Sequence, residues 1–434
     1  MRAPIQARIP AVSTGVLLLT VLIAGCAGGE APSEGGAVTA YEGARVIVGD
    51  GQIIENAAFT VQDGRFVEVG AQGQVEVPEG ATRVDLTGRT VMPALINAHM
   101  HTPGTTREAL ASFLEHNAYW GVGAVASLGT DSTTASFELR DQPPAGAARL
   151  RTAGRGIVRP EPGRTEVPYW VNTEAEARAA VRELAAKGVD IVKIWVDDRN
   201  GQYEKLSPEL YTAVIDEAHM NDLRVTAHIF ALADAKGLLN AGLDAFAHSV
   251  RDRDIDDEFV TLFQAHPESY LVANLPDRGV AADMSWLAAT VPAEQVAQIQ
   301  AGATDRPAAQ ATHAIQARNL ARLNEAGVRI ALGTDGGNAW AAHTELADMV
   351  AAGMTPAQAL VAATRNAAEL LKLSDMGTVA PGKSADFVVL EANPLDDITN
   401  TRRIASVHLR GTEVDRAGIS ARLSAPAPES ATAP

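Results

Sequence analysis

The chain is short of cysteine and of positive charge, and each shortage excludes a class of protein. Cys26 is the only cysteine among 434 residues, so no disulfide can form within the chain. Lysine and arginine together number 36 against 53 aspartate and glutamate residues, which gives a formal net charge of -17. An acidic body of this kind repels phosphate groups, so nucleic acid and anionic membrane surfaces are poor partners.

The N-terminus has the pattern of an export signal. Two arginines precede the apolar run VSTGVLLLTVLIAGC, which is too short and ends too abruptly for a transmembrane helix. Its last residues, LIAGC, resemble the bacterial lipoprotein box, so we expect Cys26 to become lipidated once residues 1–25 are removed. Residues 26–37 are small and polar, as in a flexible tether. We therefore expect an exported, membrane-anchored lipoprotein, periplasmic or at the cell surface; the alternative is an ordinary cleaved signal with an incidental cysteine.

Both ends of the remaining chain contain short β-type runs. Residues 38–92 include ARVIVGDGQIIENAAFTVQDGRFVEVG, whose Asp-Gly pairs suit tight hairpin turns. Residues 377–415 again have the pattern of strands, so we expect a small β-sandwich domain built from both chain ends. The last segment, 416–434, contains SAPAPESATAP, a composition typical of a disordered tail.

Between these ends, residues 93–376 alternate apolar strand-like runs with helical patterns. Eight runs have the composition of buried strands, from MPALINAHMH at the start to VRIALGTDGG at the end. Helix starts between them are marked by a capping box at Thr173 and Glu176, by a proline after Ser207, and by both signals at Thr355. Eight buried strands alternating with helices predict an α/β fold, a (β/α)8 TIM-like barrel.

Polar side chains interrupt the apolar runs where the strands end. Because side chains alternate along a strand, His99 and His101 point the same way and can hold one ion together. The other polar residues at such strand ends are Lys193, His228, His248 and Asp335. Each alone has a structural explanation, such as a hydrogen-bonded core histidine or a turn aspartate. Six of them at the carboxyl ends of one set of barrel strands predict a metal site.

With these residues the sequence resembles the amidohydrolase superfamily, and most closely its imidazolonepropionase-related and prolidase-like members. That superfamily carries an HxH pair on the first strand, a lysine on the fourth, histidines on the fifth and sixth, and an aspartate on the eighth. The segments TELADMVAAGMTPAQALVAATRNAAELL and GTVAPGKSADFVVLEANPL extend the resemblance over residues 40–415. In one departure, Ala94 and Asn97 replace the usual glycine and aspartate before the pair, which predicts an altered hydrogen bond near His99.

The resemblance implies two divalent metal ions, and imidazole and carboxylate ligands suit Zn2+. It also implies that CO2 adds to Lys193 and that the resulting carbamate bridges the ions. On this pattern the first ion is held by His99, His101 and Asp335, and the second by His228 and His248. A hydroxide between the ions then attacks the substrate carbonyl, while Asp335 passes a proton to the leaving group. The alternative for the lysine is a charged side chain beside a single ion.

Residues near the expected barrel mouth are candidates for substrate binding. Arg251 and Arg278 follow the sixth and seventh strands, where an arginine can pair with a substrate carboxylate. Tyr169 lies in the long loop after the third strand. His343 follows the eighth strand and is a candidate to donate to the carbonyl oxygen during attack. The alternative is that the arginines pair with neighbouring aspartates on the rim.

The sequence therefore predicts a hydrolase that cleaves a carbon-nitrogen bond in an amide, a small peptide or a cyclic amide. Its expected partner is a small-molecule or short-peptide substrate. The alternatives are a lactonase or esterase, a mononuclear deaminase on the same fold, and a metal-binding lipoprotein without catalysis. Substrate and metal identity stay open at this level, as does assembly into a homo-oligomer.

Overall fold

A computed structural model describes residues 36–424, which form eighteen strands and twelve α-helices. The first nine strands are β1 (Thr39–Ile47), β2 (Ile53–Gln62), β3 (Arg65–Ala71), β4 (Thr82–Asp85), β5 (Thr90–Pro93), β6 (Leu95–Met100), β7 (Val122–Ser127), β8 (Arg149–Thr152) and β9 (Ile157–Val158). The others are β10 (Tyr169–Trp170), β11 (Val192–Val196), β12 (Val225–Ile229), β13 (Ala245–Phe246), β14 (Tyr270–Val272), β15 (Arg329–Ala331), β16 (Phe387–Leu390), β17 (Ile404–Leu409) and β18 (Thr412–Glu413).

The helices occur mainly between the later strands. They are α1 (Arg107–Tyr119), α2 (Ala135–Asp141), α3 (Glu174–Ala186), α4 (Pro208–Met220), α5 (Leu232–Asn240), α6 (Asp257–Gln264), α7 (Ala293–Gly302), α8 (Pro307–Glu325), α9 (Ala341–Ala351), α10 (Pro356–Val361), α11 (Ala367–Leu370) and α12 (Arg416–Leu423). None of the helices described within residues 36–424 is both long and apolar enough to cross a membrane. The predicted signal segment, Cys26 and most of the predicted tether lie outside the described residues.

Strands from both ends of the described chain pair in one mostly antiparallel sheet. Its order is β18-β17-β16-β5-β1-β2-β3, and β4 also pairs with β1. Between β3 and β16 the sheet folds over, since Arg65 forms a bridge with Ser384. An aromatic cluster fills the fold: the ring of Phe59 on β2 lies 5.3 Å from that of Phe387 on β16. Burial of these large rings stabilises the packing of β2 against β16, which come from opposite ends of the described chain.

The other strands are parallel and belong to two sheets. One contains β6, β7 and β8, and the other has the order β10-β9-β11-β12-β13-β14-β15. Backbone hydrogen bonds also join the two sheets: the amide of Asp190 donates to the carbonyl of Thr152 at 2.9 Å, and the amide of Ala98 donates to Leu332 at 2.8 Å. The side chains between these strands are small or apolar and buried, including Ile96. The helices that alternate with parallel strands give the described chain its α/β class.

The predicted first barrel strand is divided between the two sheets. Met92 and Pro93 end β5 and pair with β16, whereas β6 begins at Leu95 and pairs with β7. Ala94 is the junction, and its amide donates to the carbonyl of Asp386 at 2.9 Å. This junction places the HxH pair at the far, carboxyl end of β6.

The predicted start of the disordered tail, at residue 416, is wrong because a helix begins there. Residues 416–423 form α12, which starts at Asp415, whose carboxylate accepts from the amide of Gly418 at 2.9 Å. Ile419 is buried, and Arg416 donates to two backbone carbonyl oxygens, at 3.0 and 2.8 Å. Tertiary contacts therefore order this helix, because Ile419 is buried and Arg416 bonds to distant carbonyl groups. Amino-acid composition alone does not reveal such contacts. Residues 425–434 lie outside the described part.

Candidate metal centre

His99 and His101 lie at the carboxyl end of the first parallel strand. His99 is the fifth residue of β6, and His101 follows its last residue. Asn97, two residues earlier, accepts a hydrogen bond from the backbone amide of His99 at 3.2 Å and donates to the hydroxyl of Thr334 at 2.9 Å. The asparagine therefore supports the backbone of His99 and the segment that leads to Asp335.

The carboxylate of Asp335 lies against three imidazole rings. One oxygen is 2.9 Å from Nε2 of His101 and 3.1 Å from Nε2 of His99, and the other is 3.5 Å from Nε2 of His248. Burial by itself raises the pKa of Asp335, but the hydrogen bond with His101 and the close contact with His99 hold that pKa well below its usual range. The side chain is therefore an ionised carboxylate. The backbone of Asp335 has a φ of +53°. A non-glycine residue held in this conformation fits a constrained functional position.

Three of the four histidines are anchored on the ring nitrogen that faces away from Asp335. Nδ1 of His99 lies 3.1 Å from the carbonyl oxygen of Ala247, and Nδ1 of His101 lies 3.3 Å from the hydroxyl of Thr130. Nδ1 of His248 contacts the side-chain amide of Asn274. Nε2 of each of these three rings is thereby directed at the carboxylate of Asp335. In metal sites, hydrogen bonds to the other ring nitrogen orient histidine ligands in the same way.

The fourth histidine is oriented by the opposite nitrogen. Nε2 of His228 lies 2.9 Å from a carboxylate oxygen of Asp197 and 3.0 Å from Nη1 of Arg199. Its ring centroid is 4.6 Å from that of His248. With Nε2 held by protein groups, Nδ1 is the nitrogen left to bind a ligand in the site.

Burial keeps three of these imidazoles, those of His99, His228 and His248, uncharged. It lowers the pKa of His99 to about 4 and that of His228 to about 3, and it holds the pKa of His248 well below the ordinary value. A neutral imidazole offers a lone pair to a metal ion, whereas a protonated one does not.

Lys193 lies near the same centre, where Asp335 acts on its amine electrostatically. It is completely buried on β11, and its Nζ makes no hydrogen bond to any described residue. Burial lowers the pKa of its amine to about 7, so a large fraction is neutral near neutral pH. The ring of Trp195 stands 5.4 Å from Nζ. Gly129 makes room for this arrangement, because a Cβ there would overlap both side chains.

These residues fit divalent metal ions. One ligand atom each from His99, His101 and Asp335 lies within 4.8 Å of the others. Nε2 of His99 and of His248 is buried without a well-aligned hydrogen bond, although each is near the Asp335 carboxylate. Imidazole nitrogens that converge on a carboxylate, two of them without a hydrogen bond, are the donor set that Zn2+ and similar ions bind.

A carboxylate and an arginine beside His228 are part of the site although the sequence patterns above did not single them out. Arg199 donates to Asp197 at 2.6 Å and, through Nε, to the buried carboxylate of Glu161 at 3.1 Å. Side-chain alternation could have identified Asp197, because it follows Lys193 by four positions and so lies on the same face of the strand. No local pattern identifies Glu161, which lies 38 residues before Arg199.

His343, predicted to contact the reacting carbonyl, is a structural residue, and that prediction is wrong. It is buried on α9, where Nε2 lies 2.9 Å from the backbone carbonyl oxygen of Trp120 and Nδ1 lies 3.0 Å from the hydroxyl of Thr401. Both ring nitrogens are therefore occupied by protein groups. The reason is that the chain turns at Trp340 into α9, which carries the histidine into the packing between helices.

Two of the three predicted substrate residues contact groups other than the ligand cluster. The hydroxyl of Tyr169 donates to Glu183 at 2.6 Å and lies 3.1 Å from Nζ of Lys187, both near the end of α3. Arg278 pairs with Asp348 at 3.5 Å. Both side chains are thus engaged by helix residues within the described chain, and their contact with a substrate stays a prediction. Arg251 remains near the site.

Comparisons with known proteins agree with this arrangement. The sequence model of the Amidohydrolase family matches residues 90–414. Imidazolonepropionase of Deinococcus radiodurans is 29% identical over 392 residues, covering 85% of this chain and 94% of that enzyme. Ochratoxinase of Aspergillus niger is 26% identical over 426 residues, covering 83% and 82% of the two chains. The solved structure of a Xaa-Pro dipeptidase with bound methionine shares the fold, with a TM-score of 0.70 at 23% identity over 87% of this chain and 99% of that one.

Parallel strands that bring histidines, a lysine and an aspartate together at their carboxyl ends define an enzyme site of the hydrolase class. The chain belongs to the Amidohydrolase family and is an enzyme that acts on carbon-nitrogen bonds. The predicted superfamily is thereby confirmed.

Proposed function

We propose that this enzyme is a metal-dependent hydrolase that cleaves the carbon-nitrogen bond of an amide, a small peptide or a cyclic amide. The observation that carries the proposal is the amine of Lys193, which is buried near His99, His228 and Asp335 and has no hydrogen-bond partner among the described residues. A lone buried amine is costly unless it is neutral or modified. The names of the relatives, which include a dipeptidase and an imidazolonepropionase, support a carbonyl next to nitrogen as the bond attacked.

Modification of Lys193 would complete the ligand set. The neutral amine adds to CO2, forms a nitrogen-carbon bond and releases one proton, which leaves a carbamate anion. His99, His101 and Asp335 would then hold one ion, and His228 with His248 a second. Two ions held here would supply a water that is acidic near neutral pH and would polarise the scissile carbonyl.

Asp335 is the acid and base of the proposed reaction. Its carboxylate is ionised, so it can accept a proton from the attacking water and return that proton to the departing nitrogen. Water and an amide are consumed, and a carboxylic acid and an amine are released. The outer contacts of the four imidazoles hold these rings still while the proton moves.

We also propose that the parallel strands close into a (β/α)8 barrel. The hydrogen bonds between the two parallel sheets at Thr152 and at Ala98 support this closure. The barrel would place every ligand residue at the rim where the strands end.

Metal content tests the proposed centre. Purified chain lacking residues 1–26 is compared with Lys193→Ala, both expressed with bicarbonate, by elemental analysis. We expect about two ions per chain in the wild type and a sharp fall in the variant. Lys205→Ala is the control, because that lysine pairs with Asp234 on the surface. About one ion per chain in every protein would reject the bridged pair and favour a mononuclear deaminase. Two ions without turnover of any amide or lactone would indicate a binding protein.

We further propose that the mature chain is a lipid-anchored exported protein attached through Cys26. The support comes from the sequence alone, namely the export signal and the lipoprotein box. Labelling with a radioactive fatty acid tests it: the full chain should incorporate label, and Cys26→Ser should not. Label in both proteins, or in neither, would contradict the anchor.

A further inference from the structure

Arg251 is held at the edge of the candidate centre. It follows His248 by three residues, and its backbone amide donates to the carbonyl oxygen of Phe230 at 2.9 Å. Phe230 in turn follows His228 by two residues at the carboxyl end of β12. The backbone bond therefore places Arg251 between the ends of the two strands that carry His228 and His248.

The guanidinium group of Arg251 lacks a partner within the described chain. It forms no ion pair and no hydrogen bond with any of residues 36–424, and its Nε is buried. Its neighbours on the rim differ: Arg253 pairs with Asp252 at 2.7 Å and Arg318 pairs with Asp254 at 2.8 Å. The carboxylates of Asp335 and Asp197 act on this group electrostatically but form no hydrogen bond to it within residues 36–424. A partly buried guanidinium without a bonded anion is unfavourable.

Arg199 presents a second unsatisfied donor beside the same histidine. Its Nη1 lies 3.0 Å from Nε2 of His228, and its Nε binds Glu161. Its remaining nitrogen, Nη2, is buried without a hydrogen bond to the described residues.

We propose that Arg251 and Arg199 form an anion subsite, the guanidinium subsite, which binds a carboxylate that the substrate carries next to the scissile amide. This inference rests on the proposed function. A carboxylate suits the place because its two oxygens accept together from the parallel donors of a guanidinium fork. Phe230 is 39% exposed at the same strand end and offers an apolar surface. The substrate class is an N-acyl amino acid or a dipeptide with a free carboxyl group and an apolar side chain.

The test compares two amides that differ only in the carboxylate. N-Acetyl-L-leucine carries it, and N-(3-methylbutyl)acetamide is the same amide without it. We expect the metal-loaded wild type to prefer the acid in kcat/KM. In Arg251→Gln this preference should fall by about 10- to 100-fold, the range for hydrogen bonds to a charged group. Arg251→Lys, which keeps the charge but not the fork, should retain part of it. Arg253→Gln is the matched control, because that side chain is 68% exposed and already paired.

A binding measurement separates this inference from the proposed function. N-Methanesulfonyl-L-leucine keeps the carboxylate but has no hydrolysable amide, and its affinity is measured by calorimetry. We expect weaker binding to Arg251→Gln by at least about tenfold and unchanged binding to Arg253→Gln. Arginine-dependent binding without amide hydrolysis would reject the proposed function and support the guanidinium subsite. Amide hydrolysis with equal preference and equal binding in wild type and Arg251→Gln would reject the subsite and leave the function intact.

Discussion

His228 differs from its three neighbours in the way that its ring is held. Within residues 36–424, it is the one histidine of the centre whose outer nitrogen contacts a carboxylate, that of Asp197. Burial raises the pKa of Asp197, but the bond from His228 and the contacts of Arg199 bring that pKa below its usual range. The charged carboxylate therefore fixes the tautomer of His228 that leaves Nδ1 free, which increases its basicity as a ligand.

Removing that charge should weaken metal binding. We expect Asp197→Asn to lower metal affinity by about 10- to 100-fold, the usual cost of losing an outer-shell partner. Competition with a chelator of known affinity measures it. Asp190→Asn is the control, because that carboxylate pairs with Arg151 at 3.3 Å and accepts from the backbone of Thr152 at 2.8 Å. Equal affinity in wild type and Asp197→Asn would show that the contact is incidental.

His343 gives a pH-dependent contribution to stability. Burial lowers its pKa to about 4, whereas an unfolded histidine titrates near 6.5. Between these values the unfolded state binds more protons, so the stability from the neutral buried ring is fully present above about pH 6.5 and is lost as pH falls toward 4. His343→Gln should therefore destabilise the protein at pH 7.5 and do so less at pH 5. Urea unfolding of both proteins at the two pH values measures this, and a penalty independent of pH would contradict it.

At the scale of elements, the sequence predicted helix starts correctly where the signal involves only neighbouring residues. The capping boxes predicted at Thr173 and at Thr355 both form, with Glu176 and Gln358 as the third helical residues. Ser207 precedes a helix that begins with proline, as predicted, but its side chain makes no capping bond. A capping box needs only a few adjacent residues, so the sequence alone specifies it.

Helix α12 lies where composition predicted a disordered tail. We expect truncation after residue 415 to lower the melting temperature by several degrees, because it removes buried Ile419 and both carbonyl contacts of Arg416. Truncation after residue 424 should leave the melting temperature unchanged. Differential scanning calorimetry of the two truncated chains and the wild type compares them. Equal melting temperatures in all three would mean that α12 contributes nothing to stability.

At the scale of the whole molecule, metal removal should act on stability as well as on activity. The proposed ligands come from β6, β11, β12 and the segments after β6, β13 and β15, so an ion held by them would join distant parts of the chain. Any ligand that binds only the folded state stabilises it, by about 2.7 kcal/mol at a concentration 100 times its Kd.

Chelation followed by reconstitution tests this. Treatment with dipicolinate should lower the melting temperature and abolish amide hydrolysis, and added Zn2+ should restore both. Lys193→Ala, treated in the same way, should show a smaller shift. An unchanged melting temperature after complete metal removal would contradict a centre that links these strands.

The sequence by itself determined which polar residue types stand at or just after the ends of the parallel strands. Strand alternation and residue type are local properties, so candidate ligands could be proposed without knowing what surrounds them; these are His99, His101, Lys193, His228, His248 and Asp335. The α/β class followed for the same reason, since it depends on the order of strands and helices along the chain.

Only the tertiary structure decided which charges are paired and which are free. Arg199 binds Glu161 across 38 residues of chain, and His343 reaches the carbonyl of Trp120 across 223. No pattern along the chain encodes such contacts, because they depend on which side chains the packing of whole elements brings within about 3 Å. The sequence proposed Arg251 as a partner for a substrate carboxylate, but only the same packing shows that its side chain forms no ion pair within residues 36–424.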